Sequence, residues 1–201
     1  MPVMLMCIIL FLILFKYRLN SIIRQERLQE EEYWRIEQAA SLSANKSLED
    51  LSFISIPLER FSFHSSDDTK LSQLEEEIKN LSKEKICNLS GISNTDLKLK
   101  YGAKNLGILS EYDQNYSDLV RTLAEWSTRL FELDYDDDAI AVAEYAIECN
   151  SDVSKTYTTL AKIYKKHGQL DKLYDLIPIV ETLSTPVDLK KAIYNVLNEY
   201  E

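Results

Sequence analysis

The sequence predicts an all-α protein, and three observations lead to this fold class. The chain holds only 4 Gly and 4 Pro among 201 residues, too few for the many reversals of a β-sandwich. Apolar residues recur at helical spacing through much of its second half. That half also matches itself when it is offset by 34 residues. We therefore expect a helical-hairpin solenoid of about two repeats with capping helices, behind an N-terminal transmembrane helix.

The net charge indicates which partners the chain can bind, and the cysteine content indicates whether it holds disulfides or metal ions. The formal net charge is -10, and residues 1–35 carry five basic and four acidic side chains, so the rest of the chain is strongly acidic. Phosphate binding depends on clustered Lys and Arg side chains, and we expect no nucleic-acid partner. The three cysteines, Cys7, Cys87 and Cys149, are odd in number and far apart. They predict neither a disulfide framework nor a metal site.

Residues 1–19 are predicted to form a membrane anchor, with residues 2–19 in contact with the lipid. Residues 2–15 contain no charged side chain. As a helix they extend about 21 Å, which is shorter than the roughly 30 Å hydrocarbon core of a bilayer. Lys16 and Arg18 follow at once, and their long side chains can reach the headgroups. A single span in a locally thinned bilayer is therefore possible.

Two other interpretations of this apolar segment are weaker. A secretory signal has basic residues before its apolar run and a small-residue cleavage site after it, and neither is present at the required place. A buried core helix fits poorly, because the run is apolar on every side and opens the chain. The nearby basic residues all follow the apolar run, which predicts a single-pass protein of the cell membrane with a cytoplasmic C-terminal domain. These residues are Lys16, Arg18, Arg24 and Arg27.

The next two segments differ in character. Residues 20–40 alternate acidic and basic side chains and are predicted to form a charged juxtamembrane helix. Residues 41–66 are predicted to be an extended linker. Within it, residues 51–58 are apolar and interrupted by Pro57, which disfavours a helix. This apolar segment has two possible places: the groove of the helical array, as a built-in ligand, or an ordinary helix surface.

Residues 67–114 are predicted to supply N-terminal capping helices. A first helix is expected between Asp67 and Cys87, where leucine and isoleucine recur at helical spacing. A second is expected to begin after Ser93, with Ser93 as the N-cap and Asp96 reaching back to it. We expect this second helix to continue to about Tyr112.

Residues 115–201 are predicted to contain the repeats and a C-terminal capping helix. The 34-residue offset pairs Leu123 with Tyr157, Trp126 with Leu160, Ser127 with Ala161, Leu130 with Tyr164, Ala139 with Leu173, Ala143 with Ile177 and Ala146 with Val180. Such a period is typical of paired-helix repeats. A capping helix is expected after Thr185 and Pro186, because the end of a solenoid otherwise exposes its core. Its apolar face would consist of Leu189, Ile193, Val196, Leu197 and Tyr200.

These motifs resemble the tetratricopeptide repeat. Residues 134–148 (DYDDDAIAVAEYAIE) resemble its second helix, and residues 157–173 (YTTLAKIYKKHGQLDKL) resemble its first helix and turn. The chain departs from the family pattern at Leu173, where a small residue is usual, and at Pro178, where a kink is expected. The usual terminal proline is displaced to Pro186.

A second resemblance covers residues 85–116, which are similar to a group of membrane-anchored repeat proteins of Firmicutes. This resemblance implies a bacterial cell membrane and implies no particular activity.

The resemblance to the tetratricopeptide repeat also implies a binding surface. First helices of this family line a concave groove, so Lys155, Thr158, Lys162 and Lys166 are the candidate peptide-groove residues. Three lysines in an acidic protein would suit an acidic protein or peptide segment, although an ordinary solvated helix face has the same composition. The expected function is a membrane-tethered adaptor or scaffold. The alternative is a constitutive structural subunit of a membrane-associated assembly.

Catalytic, cofactor and metal sites are not expected. Asp134, Asp136 and Asp138 alternate as in a calcium loop, but Ala139 and Tyr145 stand where the glycine and the bidentate glutamate are required.

The two histidines complete this expectation. His64 is expected to be exposed, and His167 is expected in a turn where a cation favours the C-terminus of a helix. Neither belongs to an acid–base motif in the sequence. We therefore expect a binding protein and not an enzyme.

Overall fold

The computed structural model describes residues 2–64, 68–182, 190–191 and 193–196. These residues form helices and no strand, which confirms the predicted all-α class for the described part of the chain. The chain divides into two compact units, which are described separately: Met1–Asp50 with Gly91–Leu109, and Leu51–Ser90 with Ser110–Glu201.

The first unit contains a 40-residue helix, α1, over Pro2–Ser41. No break separates the predicted anchor from the predicted juxtamembrane helix, because residues 3–41 contain no glycine or proline. The large apolar side chains described in its N-terminal half are exposed. This helix is long and apolar enough to cross a membrane.

The C-terminal end of α1 packs against α3, which spans Asn94–Tyr101. Glu37 accepts a hydrogen bond from the Thr95 hydroxyl at 2.7 Å and pairs with Lys98. Ser93 caps α3 as predicted, because its hydroxyl accepts a hydrogen bond from the Asp96 amide at 3.1 Å. The Asp96 carboxylate accepts a hydrogen bond from that same hydroxyl at 2.6 Å.

Gly102 ends α3, so the single helix expected from Ser93 to Tyr112 is interrupted. Its φ is 97°, and a Cβ placed there would lie 2.6 Å from both Ala44 O and Asn45 Cα. Glycine is the residue that tolerates both this backbone conformation and so close an approach.

The second unit begins with an extended segment and α2, which spans Thr69–Leu81. The helix ends before Cys87, and the chain that follows pairs with the extended segment, since the Ile54 amide donates to Ile86 O at 2.9 Å. Asp68 caps α2 by accepting from the Leu71 amide at 2.7 Å.

Along the part of the chain that the structure describes, α2 and α3 are followed by α4 over Leu106–Glu132, α5 over Asp136–Glu148, α6 over Ser154–Lys166 and α7 over Leu170–Glu181. Residues 190–191 and 193–196 are helical as well. Helix α4 is continuous through residues 114 and 115, so the predicted boundary there is not marked by a helix end. The buried residues of this unit form two apolar clusters, one around Trp126 and one around Leu160.

The α4–α5 and α6–α7 turns have matching geometry at 34-residue spacing. Asp134 has a φ of 60° and Gly168 a φ of 69°. The residues that precede α5 and α7, Tyr135 and Gln169, both have a φ of -88°, with ψ of 60° and 58°. Tyr135 N donates to Leu130 O at 3.0 Å, and the equivalent bond, from Gln169 N to Tyr164 O, is 2.8 Å long.

Burial also agrees between positions that are 34 residues apart. All fourteen residues paired in the sequence are buried except Ile177, which is half-buried. Trp126 and Leu160 are both fully buried, as their pairing predicts. Helix α7 continues past Pro178 to Glu181. The predicted start of the last helix at Thr185 and Pro186 lies outside the described residues, as do Leu189, Leu197 and Tyr200. Ile193 and Val196 are buried against the Leu160 cluster.

Candidate functional site

The predicted groove residues lie on α6, and two of them are engaged near its start. Lys155 Nζ lies 2.6 Å from Glu125 Oε1 on α4. This hydrogen bond lowers the pKa of Glu125, since the ammonium group favours the charged carboxylate. Thr158 is half-buried and donates to Lys155 O at 3.1 Å. Lys155 therefore links α6 to α4, and the Thr158 hydroxyl bonds within α6.

Lys166, at the other end of α6, is held by the turn between α4 and α5. Its Nζ lies 3.0 Å from Asp134 Oδ1 and 2.8 Å from Asp136 Oδ2. The hydrogen bond to Asp136 raises the pKa of Lys166. Burial opposes ionisation of Asp136, but the hydrogen bonds from Lys166 and His167 outweigh it and lower the pKa of Asp136.

Lys162 differs from the other two lysines, because it is exposed and makes no ion pair with the described residues. The positive strip predicted from the sequence is thus largely balanced by acids of the preceding hairpin. Those acids stand 30 to 32 residues earlier in the chain, so local spacing gave no sign of them. The 34-residue period would have placed α6 beside the hairpin that carries these acids.

Residues 51–64, here called the strap, form an irregular segment with a 3-10 turn at Leu58–Arg60. The strap covers the first hairpin, which consists of α4 and α5; α6 and α7 form the second hairpin. Its Phe61 side chain contacts Trp126 and Tyr145 edge-on, with ring centroids 5.5 and 5.4 Å apart. Arg60 makes two hydrogen bonds to the Glu148 carboxylate, at 2.6 and 2.7 Å. The Tyr145 hydroxyl donates to the backbone carbonyl of Ser55 at 3.1 Å. The strap therefore belongs to the folded core of its unit.

The expectation that His64 is exposed is wrong. Only 20% of its side chain is accessible. Its ring stacks on Tyr135 with centroids 4.0 Å apart, and its Nε2 lies 3.0 Å from Asp138 Oδ2. Sequence spacing could not show this pairing, because 74 residues separate the two partners.

Asp134, Asp136 and Asp138, at and just before the start of α5, pair with two different side chains. Asp134 and Asp136 pair with Lys166, and Asp138 pairs with His64. Within the described ranges, no three His, Cys, Asp or Glu side chains gather in the way that a metal ion requires. Their observed role is to attach neighbouring elements to α5.

A cleft of about 340 Å³ lies between α5 and α7, and α6 forms its floor. Its lining is mostly apolar, with carboxylates at the edge. The Tyr164 hydroxyl donates to Glu144 Oε1 at 2.9 Å, and burial together with this acceptor raises the pKa of Tyr164. No motif in the sequence pointed to this cleft, since its lining residues come from three helices and extend from Glu144 to Ile179. They are Glu144, Ile147, Glu148, Leu160, Tyr164, Lys172, Asp175, Leu176 and Ile179.

Comparisons with family models, with curated proteins and with solved structures find no match to this chain.

Proposed function

We propose that this chain is a membrane-tethered protein-interaction module, an adaptor or scaffold built on a tetratricopeptide-type solenoid. The observation that carries the proposal is the agreement of two successive hairpins, whose turns and buried positions match at 34-residue spacing. Solenoids of paired helices present extended surfaces to partners. The exposed apolar half of α1 supports attachment to a membrane.

The partner of the groove is a protein or peptide with an acidic segment. Lys162 is the lysine of α6 that remains open to such a segment, while Lys155 and Lys166 keep their intramolecular pairs. A single exposed lysine contributes little by itself. The groove therefore depends on Lys162 together with the other surfaces of α6 and its neighbours that contact the segment.

Crosslinking in intact cells, followed by mass spectrometry, tests the role of the groove. The Lys162→Glu variant should lose its acidic partners, because a favourable charge contact becomes repulsive. The matched control is Lys104→Glu, which makes the same change at an exposed lysine of the other unit. An identical set of crosslinked proteins from the wild type and both variants would contradict the proposed groove.

We also propose that α1 crosses the cell membrane once and that the C-terminal domain lies in the cytoplasm. The basic residues that follow the apolar run support this orientation. In right-side-out vesicles the domain should resist added protease until the bilayer is opened. Digestion in sealed vesicles would indicate the opposite orientation.

A second candidate function is a permanent subunit of a membrane-associated assembly. It is favoured by the exposed apolar side chains of Leu170, Tyr174 and Tyr194 near the end of the described chain, since such side chains often mark interfaces. Partners that stay bound through a high-salt wash would support this function. Exchange of the partner at micromolar concentration would support the adaptor.

A further inference from the structure

The strap shows which kind of chain segment the first hairpin binds on the face that contains Trp126 and Tyr145. Four residues of the first hairpin hold it. Trp126 contacts Phe61 and Phe63, Asp138 contacts His64, Tyr145 contacts Phe61 and the strap backbone, and Glu148 pairs with Arg60. The bound segment is extended apart from a 3-10 turn at Leu58–Arg60. It buries aromatic and aliphatic side chains and adds Arg60, a basic side chain that meets a carboxylate.

The same face of the second hairpin lines the cleft. Counting 34 residues onward, Trp126 corresponds to Leu160, Asp138 to Lys172 and Tyr145 to Ile179. Glu148 corresponds to Thr182, which does not line the cleft, so the carboxylates of the cleft stand at positions that are not equivalent to those that hold the strap. Leu160, Lys172 and Ile179 all line the cleft. The cleft therefore occupies, on the second hairpin, the place that the strap occupies on the first. A volume of about 340 Å³ lies within the usual range for ligand clefts.

The cleft, like the strap site, combines apolar side chains with carboxylates. Ile147 is half-buried and Ile179 is 38% exposed, and these two side chains supply the accessible apolar surface, while Leu160 and Leu176 are buried behind them. Asp175 is exposed at the edge and makes no ion pair with the described residues. Glu144, beside Tyr164, adds a second carboxylate.

The charge at the edge of the cleft is negative in balance. Lys172 is the single basic side chain in the lining, and its Nζ lies 5.4 Å from the centre of the Tyr164 ring. Glu148, which lines both sites, is already paired with Arg60. The carboxylates of Glu144 and Asp175 therefore complement a basic side chain of an incoming segment.

We infer that this cleft binds an extended, apolar segment of a partner protein that carries a basic side chain, in the manner in which the first hairpin binds the strap. The cleft lies between α5 and α7 with α6 as its floor, and no lysine of α6 lines it. Its partner can thus differ in charge from the acidic partner proposed for the groove. Backbone extension favours such recognition, because alternate side chains enter the cleft while the others face water.

A synthetic peptide with the sequence of residues 51–64 (LSFISIPLERFSFH) is the direct probe. Labelled with a fluorophore, it is titrated against the full chain in detergent micelles, with empty micelles as the baseline for partitioning into detergent. We expect saturable binding in the micromolar range, as is usual for small interfaces. The Arg60→Glu peptide should bind roughly five- to tenfold more weakly, because it places a carboxylate beside carboxylates. Absence of saturable binding above the micelle baseline would overturn the inference.

Variants of α7 locate the bound peptide. Asp175→Lys should weaken binding of the wild-type peptide by roughly five- to tenfold. The matched control, Asp171→Lys, changes the same charge on the same helix at an exposed residue outside the cleft and should leave binding unchanged. Equal effects of the two variants would mean that general charge, and not the cleft, controls binding.

Two further measurements separate the cleft from the strap site and from loss of folding. Asp138→Asn alters the residue that holds His64 of the strap and should leave peptide affinity unchanged, since Asp138 does not line the cleft. Ile179→Glu should abolish binding while helical circular dichroism and thermal unfolding stay near wild type. A loss of binding with Asp138→Asn alone would place the peptide on the first hairpin and refute the inference.

Discussion

Replacing Phe61 by alanine should destabilise the second unit strongly, because this side chain attaches the strap to the first hairpin. Phe61 is 7% exposed and belongs to the apolar cluster around Trp126. Its ring meets those of Trp126 and Tyr145 edge-on, at centroid distances of 5.5 and 5.4 Å. The substitution removes all of these contacts and leaves a cavity between the strap and the helices.

The expected magnitude follows from burial and geometry. Truncation of a buried phenylalanine costs roughly 3–5 kcal/mol, and an edge-to-face aromatic pair contributes about 0.5–1.5 kcal/mol beyond its buried area. Because Phe61 keeps 7% of its surface exposed, we expect the lower half of this range, about 3–4 kcal/mol.

Urea unfolding of the full chain in micelles measures this cost. Trp126 fluorescence reports on the site, since this indole lies against Phe61 and Phe63. The control is Phe53→Ala, the same substitution in the same strap at a side chain that is 42% exposed, for which a loss below about 1.5 kcal/mol is expected. Equal losses for the two variants would refute the reasoning, and so would a loss below about 1 kcal/mol for Phe61→Ala.

Three more predictions concern other parts of the chain. Gly102→Ala should destabilise the first unit by at least roughly 1–3 kcal/mol, because the new Cβ would meet Ala44 O at 2.6 Å; faster hydrogen exchange after α1 would reveal it, and unchanged exchange would contradict it. An arginine hydrogen bond and a backbone amide lower the pKa of Asp68 to about 2, so its ion pair stabilises the fold above about pH 4 and is lost as the pH falls toward 2. Asp68→Asn should therefore flatten the acid side of a plot of unfolding free energy against pH, and an unchanged slope would count against this account. Leu10→Arg with Leu12→Arg should release the chain from membranes into an alkaline wash, since each arginine at the centre of a span costs about 2.5–3.5 kcal/mol; full retention of the double variant would argue against a spanning α1.

The helices were predictable from the sequence wherever their determinants are local. Ser93 as N-cap depends on a side chain three residues from its partner. The turn at Gly168 and the buried positions of α6 follow from spacing within one hairpin and from the 34-residue period. The end of α3 at Gly102 was missed, because its cause is a backbone approach from residues 44–45, which are distant in the sequence.

The candidate site was predictable only in part. The sequence identified the exposed face of α6 but suggested three uncommitted lysines, whereas Lys155 and Lys166 pair with acids of the preceding hairpin. The cleft beside Ile179 had no signal in any single segment, because three helices contribute to it. The sequence predicted an extended strap. It did not predict that the strap packs against α4 and α5, because that position depends on the apolar surface that the packed helices leave uncovered.

By itself the sequence determined the helical class, the apolar N-terminal helix and the repeat spacing, because hydrophobic period, capping residues and the lack of chain breakers act over a few neighbouring positions. The tertiary structure decided which charges are neutralised, where the strap lies and where a cleft remains. These features depend on distances between residues that are 30 to 90 positions apart, and such distances exist only once the hairpins have packed.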